Sequence, residues 1–195
     1  MKVIVGLGNP GREYERTRHN VGWCLVDRLL EEWRFDGWRM DGRSLVARGR
    51  LGSIPVRLVK PQTYMNLSGA ALTPYLRRPT FSAPTDLLVI VDDVAIPVGR
   101  LRLRARGSHG GHNGLRNIEQ VLGSREYARL RIGVAPDDPR QSGGGLSDFV
   151  LSQFLPHERE AVLALMPTLV AATETWLRDG IERAMNAHNR QPQQH

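Results

Sequence analysis

A polar loop that carries chemically useful side chains follows the first apolar segment of the chain. It runs from Asn9 to His19, and His19 stands directly before a stretch with a helical apolar pattern. The partial positive charge of a helix N-terminus disfavours imidazolium, so we expect the His19 ring to be neutral near neutral pH. A neutral imidazole can take a proton from water, which makes His19 a candidate general base.

Further polar side chains lie where other predicted elements meet. Asn66 follows the predicted strand that ends at Lys60, Asp92 closes the predicted strand at 86–92, and Asn113 precedes a predicted helix. Open α/β sheets place their sites beyond the carboxyl ends of the strands, so we expect these residues to meet His19 there. Taken singly, each is more simply explained as a cap or turn residue. Their convergence on one edge of the sheet favours a site.

The combination favours hydrolysis of an already reactive acyl bond. The Asp92 carboxylate can fix the His19 tautomer and stabilise the imidazolium that forms. The amides of Asn9, Asn66 and Asn113 can donate hydrogen bonds to a carbonyl or to a developing oxyanion. Serine is absent from the strand-Gly-x-Ser-x-Gly-helix context that exposes a nucleophile, so direct attack by water is the simpler mechanism. The residues leave open which asparagine orients the water and which meets the carbonyl.

A metal site is the alternative for the same region. His109 and His112 flank two glycines, and Asp92 and Asp93 supply carboxylates. The glycines make this histidine pair flexible rather than a rigid helical ligand pair, and a cysteine partner is missing. We therefore expect neither a metal nor another cofactor.

A basic segment predicts contact with a polyanion. The net charge is +7, and all but two of the 27 basic residues are arginines. Strict alternation in RLRLRAR, residues 100–106, sends the arginines, including Arg102 and Arg104, to one face of a strand. Like charges on one face repel unless an anion compensates them, and the forked guanidinium suits phosphate oxygens. We expect a phosphate-binding surface there, extended by Arg116, Arg129 and Arg131.

The segment GLGNPG, residues 6–11, matches the spacing of a dinucleotide-binding fingerprint. That fingerprint needs a helix to begin at once, whereas Asn-Pro-Gly favours a turn, and the first convincing helix begins only after Asn20. It also needs an acidic residue closing a second strand about 20 residues further on. Asp27, Glu31 and Glu32 lie on a predicted helix instead. A nucleotide-dependent oxidoreductase is therefore disfavoured.

Strand-like runs alternate with helical stretches along the chain. Strands are predicted at 2–6, 44–51, 54–60, 86–92, 100–106 and 129–134, with a tight hairpin at Gly52-Ser53. Helices are predicted after Asn20, which is a good N-cap, after Asn66, from Asn113 to Leu122, and through the C-terminal third, where Pro167 should kink or restart the helix. This alternation predicts an α/β fold with a twisted, mixed, mostly parallel sheet flanked by helices.

Composition predicts one domain over residues 1–190 with a disordered tail at 191–195. Residues 135–145 form a loop that is a candidate mobile lid over the site. No apolar run is long enough to cross a membrane, and the N-terminus enters a strand directly, so we expect neither a membrane span nor a signal peptide. The single cysteine, Cys24, cannot form an internal disulfide, which fits a reducing cytoplasm.

The chain resembles the bacterial peptidyl-tRNA hydrolase family from Lys2 to about Trp176. Four blocks carry the resemblance: VGLGNPGREYERTRHNVGW near the start, KPQTYMNLSG at 60–69, DDVAIPVGRLRLR at 92–104 and GSHGGHNGLRNI at 107–118. The family hydrolyses the ester that joins a peptide to the terminal ribose of tRNA, which recycles tRNA from stalled translation. That activity is what the resemblance implies for this chain.

The resemblance also implies roles for individual residues. His19 would be the catalytic base, with Asp92 as its partner. The peptide, the ester and the water would be positioned by Asn9, Asn66 and Asn113. The crevice would be lined by Tyr14 and Met65. The tRNA phosphates would be met by Arg102, Arg104 and Arg131. The family needs no metal and generally works as a monomer on the acceptor stem and 3′ end of peptidyl-tRNA.

An RNA-binding protein on the same scaffold, without catalysis, is the main alternative. It resembles the organellar splicing factors derived from the hydrolase. A module that only binds RNA has no reason to keep a poised base beside its carboxylate, so the intact set around His19 and Asp92 favours the enzyme.

Overall fold

A mixed sheet organises the chain, and the computed structural model describes residues 1–136 and 145–189. Over these residues the sheet has seven strands in the order β2-β3-β4-β1-β5-β7-β6. The strands are Lys2–Gly6 (β1), Arg39–Asp41 (β2), Ser44–Leu51 (β3), Ile54–Pro61 (β4), Leu87–Pro97 (β5), Leu101–Arg104 (β6) and Ala128–Ala135 (β7). The expected tail at 191–195 and all but the ends of the expected lid at 135–145 lie outside the described residues.

The four central strands run parallel to one another. β1 pairs with β4 and β5, and β5 pairs with β7, all in parallel. The outer strands are antiparallel additions, β2 and β3 at one edge and β6 at the other. Because the central strands are parallel, their carboxyl ends meet along one edge, where sheets of this kind hold their sites. The predicted α/β class and mixed sheet are confirmed.

Helices cover both faces of the sheet. The α-helices are Val21–Glu32 (α1), Thr73–Leu76 (α2), Ala83–Asp86 (α3), Asn113–Leu122 (α4), Leu146–Val150 (α5), Pro156–Asp179 (α6) and Ile181–His188 (α7). Short 3-10 helices span Arg12–Tyr14, Arg18–Asn20 and Met65–Leu72. The helix expected after Asn66 is thus mainly a 3-10 helix, and α6 runs through Pro167 without restarting.

Successive side chains of β1 point to opposite faces of the sheet and pack into two different apolar clusters. Ile4 faces the cluster beneath α1, α6 and α7, while Val3 and Val5 face the cluster beneath α4 and the Met65–Leu72 segment. α1 lies very close to the sheet at Gly22, where a Cβ would stand 2.6 Å from the carbonyl oxygen of Ile90. Glycine at this position lets α1 approach the sheet, and the residues just before the helix are thereby held at the carboxyl ends of β1 and β5.

The arginine-rich strand is shorter than its sequence pattern predicts. β6 covers only Leu101–Arg104, so Arg100 and Arg106 are exposed residues outside the strand. Arg102 and Arg104 point outward, and in the register with β7 they stand opposite Arg131 and Arg129. Two arginines of the predicted four therefore share the strand face.

Among the described helices, none is both long enough and apolar enough to cross a lipid bilayer.

Candidate active site

A cleft of about 470 Å³ opens at the carboxyl edge of the central strands. Ten of the residues singled out in the sequence line it: Asn9, His19, Met65, Asn66, Asp92, Asp93, His109, His112, Asn113 and Arg131. They come from the loop after β1, the segment after β4, the middle of β5, the start of α4 with the loop before it, and the middle of β7. Parallel strands bring these distant positions together because each strand ends at the same edge.

His19 and Asp92 form a buried pair at the base of this cleft. The Nδ1 atom of His19 lies 2.8 Å from Oδ1 of Asp92, and the two residues are 8% and 4% exposed. An ionised carboxylate only accepts hydrogen bonds, so Nδ1 carries the proton. Nε2 of His19 is left unprotonated in the neutral ring, and it has no partner among the described residues. It is the atom that can act as a base.

Asp92 has a second imidazole partner, His112. Nε2 of His112 lies 2.9 Å from the same Oδ1 atom of Asp92. On the other side of the ring, Nδ1 of His112 accepts the backbone N–H groups of Gly114 and Leu115 at 3.1 and 3.3 Å, and so caps α4. Because Nδ1 accepts, Nε2 must carry the proton that it donates to Asp92.

The two histidines keep Asp92 ionised. Burial by itself raises the pKa of a carboxyl group, but the combined charge interactions and hydrogen bonds of His19 and His112 outweigh it. They hold the pKa of Asp92 well below its ordinary value. A carboxylate that stays negative can stabilise an imidazolium at His19 during a reaction.

The His19–Asp92–His112 cluster also has the composition of a metal site. One ligand atom from each residue lies within 4.8 Å of the others. A metal would need the Nε2 lone pair of His112, and the proton would then move to Nδ1. That proton would face the backbone N–H donors of Gly114 and Leu115. The donor set therefore fits a hydrogen-bonded relay and does not fit a metal centre.

Asn20 holds the backbone of Asn9 with two hydrogen bonds. Its Oδ1 accepts the Asn9 N–H at 2.8 Å, and its Nδ2 donates to the Asn9 carbonyl at 3.0 Å. Asn20 occupies the predicted N-cap position of α1, but its side chain makes no capping hydrogen bond at the start of that helix. The physical reason is that both ends of the amide are taken by the peptide of Asn9.

The side chain of Asn9 is oriented by a backbone group. Its Oδ1 accepts the N–H of Met65 at 2.8 Å, and a backbone N–H cannot pair with the amide nitrogen. Nδ2 of Asn9 is thereby presented to the cleft as a donor. At Asn113 the contact of Oδ1 with Nη1 of Arg116, at 3.2 Å, leaves Nδ2 free in the same way.

Asn66 and Tyr14 occupy less constrained positions. Asn66 is exposed at the rim of the cleft, and its side chain makes no hydrogen bond to the described residues. Tyr14 lies outside the lining of the cleft, where its ring packs edge-on against Tyr64 with centroids 6.5 Å apart. Tyr64 does line the cleft and is 58% exposed. The sequence interpretation did not single it out.

The arginines divide into exposed and internal groups. Arg131 lies at the cleft, with Nη1 3.1 Å from Oδ2 of Asp93 and Nη2 3.0 Å from the carbonyl oxygen of Ser108. Arg102 and Arg104 lie outside the cleft on the exposed face of β6.

The expectation that Arg129 extends the phosphate-binding surface is wrong. Arg129 is fully buried, and its guanidinium carbon stacks 4.1 Å from the ring centroid of Tyr127. It donates to the carbonyl oxygens of Gly107 and Ser108, which hold the loop before α4. Its guanidinium is engaged by the protein's own backbone and is not presented to an external phosphate.

An apolar wall that the sequence interpretation missed closes one side of the cleft. We call Leu146, Val150 and Leu151, in and just after α5, the α5 wall. Leu146 is 55% and Leu151 39% exposed, so the wall offers apolar surface to a bound molecule. The sequence contains one signal for it, the apolar spacing of 146–151, but a run of six residues does not by itself distinguish a wall from a buried helix.

The class of protein follows from the fold and the site. The mixed sheet holds a cleft at the carboxyl edge of its parallel strands, and a buried histidine–carboxylate pair in that cleft can activate water, so this is an α/β protein with a hydrolytic site. Comparison with known proteins specifies the family. The peptidyl-tRNA hydrolase family model matches residues 3–195. This chain belongs to the peptidyl-tRNA hydrolase family.

Individual relatives agree along nearly the whole chain. A peptidyl-tRNA hydrolase of Gemmatimonas aurantiaca is 55% identical, over 97% of this chain and 100% of the relative. One from Brevibacillus brevis is 42% identical, over 97% and 98% of the two chains. The crystal structure of peptidyl-tRNA hydrolase from Acinetobacter baumannii superposes with a TM-score of 0.85 at 32% identity, covering 95% of this chain and 93% of that one.

Proposed function

We infer that this chain hydrolyses the ester bond that joins a peptide to tRNA in peptidyl-tRNA. Membership of the family supplies the substrate class and the reaction. The observation that carries the chemistry is the 2.8 Å contact of His19 Nδ1 with the buried Asp92 carboxylate, which leaves Nε2 free for a water molecule.

The first step is attack by water on the ester carbonyl. Nε2 of His19 removes a proton from the water as its oxygen bonds to the carbonyl carbon. The carbonyl π electrons move to oxygen, and a tetrahedral oxyanion forms. Asp92 balances the new positive charge on the imidazole, and His112 helps to fix the orientation of Asp92 through the same carboxylate oxygen.

The second step is departure of the tRNA. The bond between the carbonyl carbon and the ribose oxygen breaks, and the oxyanion electrons restore the carbonyl. Imidazolium at His19 returns its proton to the leaving ribose oxygen. The products are the free peptide acid and tRNA, and the enzyme returns to its starting state.

Two amide donors stabilise the oxyanion in this scheme. Asn9 and Asn113 present Nδ2 because their Oδ1 atoms are engaged elsewhere. One donor to an oxyanion typically contributes about 10²- to 10³-fold in rate. Asn66 stands at the rim, where it meets the peptide, together with Met65 and the Tyr14–Tyr64 pair.

The tRNA is held by basic side chains at the cleft and on the neighbouring edge strand. Arg102 and Arg104 project from the edge strand, and Arg131 stands beside Arg102 in the register of β6 and β7. Guanidinium groups at this spacing suit successive phosphates of the acceptor stem and 3′ end. Arg131 also pairs with Asp93, so its charge is partly compensated before tRNA binds.

The proposal needs no metal, no second subunit and no other cofactor. The His112 tautomer disfavours metal at the cluster, and every proposed group comes from one chain. We propose that the protein works as a monomer in the cytoplasm, where ribosomes produce peptidyl-tRNA.

The direct test is release of labelled N-acetyl-amino acid from N-acetyl-aminoacyl-tRNA in the presence of EDTA. We expect catalytic release at the same rate with and without EDTA. Loss of release with EDTA, restored by a divalent cation, would contradict the metal-free mechanism. Tight tRNA binding without any release would instead support the non-catalytic RNA-binding protein.

A further inference from the structure

A buried arginine stands next to the proposed base. Arg18 precedes His19 in the Arg18–Asn20 3-10 helix and is only 3% exposed. Arg18 has no role in the two hydrolytic steps proposed for His19. Burial of a guanidinium is costly unless its donors are satisfied, so its contacts indicate what it is for.

The guanidinium of Arg18 reaches the segment that carries the α5 wall. Its central carbon lies 4.5 Å from the ring centroid of Phe149 and 4.9 Å from that of Phe154. Its Nε donates to Oγ of Ser152 at 3.3 Å. The guanidinium thus lies against two aromatic rings, one before and one after the end of the α5 wall.

A carboxylate completes the contact. Nη2 of Arg18 lies 2.6 Å from Oε2 of Glu158, which is 2% exposed. The same oxygen accepts the N–H of Leu155 at 2.7 Å and so caps α6. Nη1 of Arg18 donates at 3.3 Å to the carbonyl of Val134 in β7. One planar group therefore joins the sheet, the segment after α5 and the start of α6.

Backbone contacts run beside these side-chain contacts. The N–H of Arg18 donates to the carbonyl of Ser152 at 3.0 Å, and Thr17 forms an antiparallel bridge with Gln153. These contacts do not involve the Arg18 side chain, so we expect them to persist when that side chain is changed. The side chain then acts on the α5 wall, while the backbone keeps the two segments adjacent.

We propose that Arg18 is a positioning residue that sets the distance between His19 and the α5 wall, so that the amino-acid side chain next to the ester is held against the wall. The proposal rests on the hydrolysis inferred above. The forked guanidinium contacts three segments at once and so fixes their relative positions. Lysine has a single ammonium group and cannot make the same set of contacts. The α5 wall should contribute most to hydrolysis when the amino acid next to the ester has a bulky apolar side chain. It should contribute least when that amino acid is glycine, which has no side chain to contact the wall.

The test compares two substrates on one variant. Arg18→Met combined with Glu158→Gln removes the ion pair without leaving a buried charge, and the carbonyl of the introduced amide can still accept the Leu155 N–H. We expect kcat/KM for N-acetyl-phenylalanyl-tRNA to fall about tenfold and that for N-acetyl-glycyl-tRNA less than about twofold, as expected for loss of an apolar subsite. Equal losses for both substrates, or no loss for either, would overturn the positioning role.

A matched control keeps general destabilisation apart from positioning. Arg28 and Glu32 form a surface pair on α1, and Arg28→Met with Glu32→Gln should leave both substrates unchanged. Arg18→Lys provides a second variant that retains the charge opposite Glu158. It should show the same substrate-selective loss because it lacks the fork, and unchanged selectivity would contradict the proposal.

Amide hydrogen exchange tests the same proposal without measuring hydrolysis. Amides of residues 146–155 should exchange faster in both Arg18 variants than in the wild type and in the α1 control. If wild-type protein releases no amino acid, the proposed function fails while exchange still measures the contact. If exchange over 146–155 is unchanged, the positioning role fails even when the wild type is active.

Discussion

One carboxylate oxygen organises the centre of the site. Oδ1 of Asp92 accepts from His19 at 2.8 Å and from His112 at 2.9 Å. The two imidazoles are protonated on opposite nitrogens, Nδ1 in His19 and Nε2 in His112. This difference decides their roles, because it leaves a free nitrogen at the cleft only on His19.

The lowered pKa of Asp92 links the site to the pH dependence of stability. The folded protein binds fewer protons at Asp92 than the unfolded chain does between the lowered pKa and the ordinary value of 3.8. Ionised Asp92 therefore stabilises the fold above the ordinary value, and the contribution is lost as pH falls towards the folded-state pKa.

We predict that Asp92→Asn lowers the free energy of unfolding by about 2 kcal/mol at neutral pH and by progressively less as the pH falls below about 4. Denaturant unfolding over a pH series measures this. Asp41→Asn is the control, since Asp41 is an exposed carboxylate far from the site. A difference between wild type and Asp92→Asn that grows under acid would contradict the assignment.

Asn9→Asp tests the orientation of a single amide. Aspartate can still accept the Met65 N–H, but the donor aimed into the cleft is replaced by an oxygen. We predict a fall in kcat of about 10²- to 10³-fold, the usual cost of one oxyanion donor, with little change in tRNA affinity. Retained kcat would mean that Asn9 supplies no donor to the transition state.

The start of α1 shows how an element delivers a side chain. The glycine at position 22 lets the helix lie close to β1 and β5, and the turn just before it carries Arg18, His19 and Asn20 to the carboxyl edge of the sheet. The side chains of this turn serve three different neighbours: the α5 segment, Asp92 and Asn9.

The variant Asn20→Ser distinguishes two possible roles of Asn20, which are capping of α1 and support of the Asn9 backbone. Serine caps helices about as well as asparagine, so a capping role predicts an unchanged protein. Serine is too short to pair with both groups of the Asn9 peptide. We predict a loss of about 1–3 kcal/mol in stability from the unpaired backbone groups. Because Asn9 is misplaced, kcat should fall by at least about tenfold. Thermal unfolding and steady-state kinetics on the same samples measure both effects.

The exposed arginines of the edge strand β6 lead to a prediction about tRNA binding. Arg102→Ala with Arg104→Ala should weaken binding of tRNA and lower the slope of log affinity against log salt by roughly one per arginine. Arg48→Ala, at the opposite edge of the sheet, should leave the slope unchanged. Filter binding at several salt concentrations is the measurement. An unchanged slope in the double variant would remove β6 from the tRNA surface.

At the scale of the whole molecule, periodicity predicts the central strands and the α/β class well. Apolar runs such as VIV in β1 and LLVIV in β5 are too regular to be anything but buried strands. β2 was missed because its three residues are all exposed, so no burial pattern marks them. The sequence did not distinguish the 3-10 helix at Met65–Leu72 from an α-helix, because the apolar residues of so short a segment fit either type of helix.

The site residues that lie on or just after the central strands could be predicted from the sequence. The contacts between side chains from distant segments could not. Asn9 follows β1 and Asp92 lies within the neighbouring parallel strand β5, so topology brings them together. The pairing of His112 with Asp92 depends on a ring that caps α4 with its other nitrogen, which no spacing rule encodes. The burial of Arg18 and Arg129 depends on aromatic rings and carbonyls distant in sequence.

The most direct measurement is single-turnover release of N-acetyl-amino acid from N-acetyl-aminoacyl-tRNA by the wild type and by His19→Ala, with tRNA affinity measured alongside. If His19 is the base, the variant should lose about 10²- to 10⁴-fold in the rate of the chemical step while its affinity for tRNA stays within about twofold. A variant that retains the wild-type rate, or that loses rate and affinity to the same extent, would contradict the account.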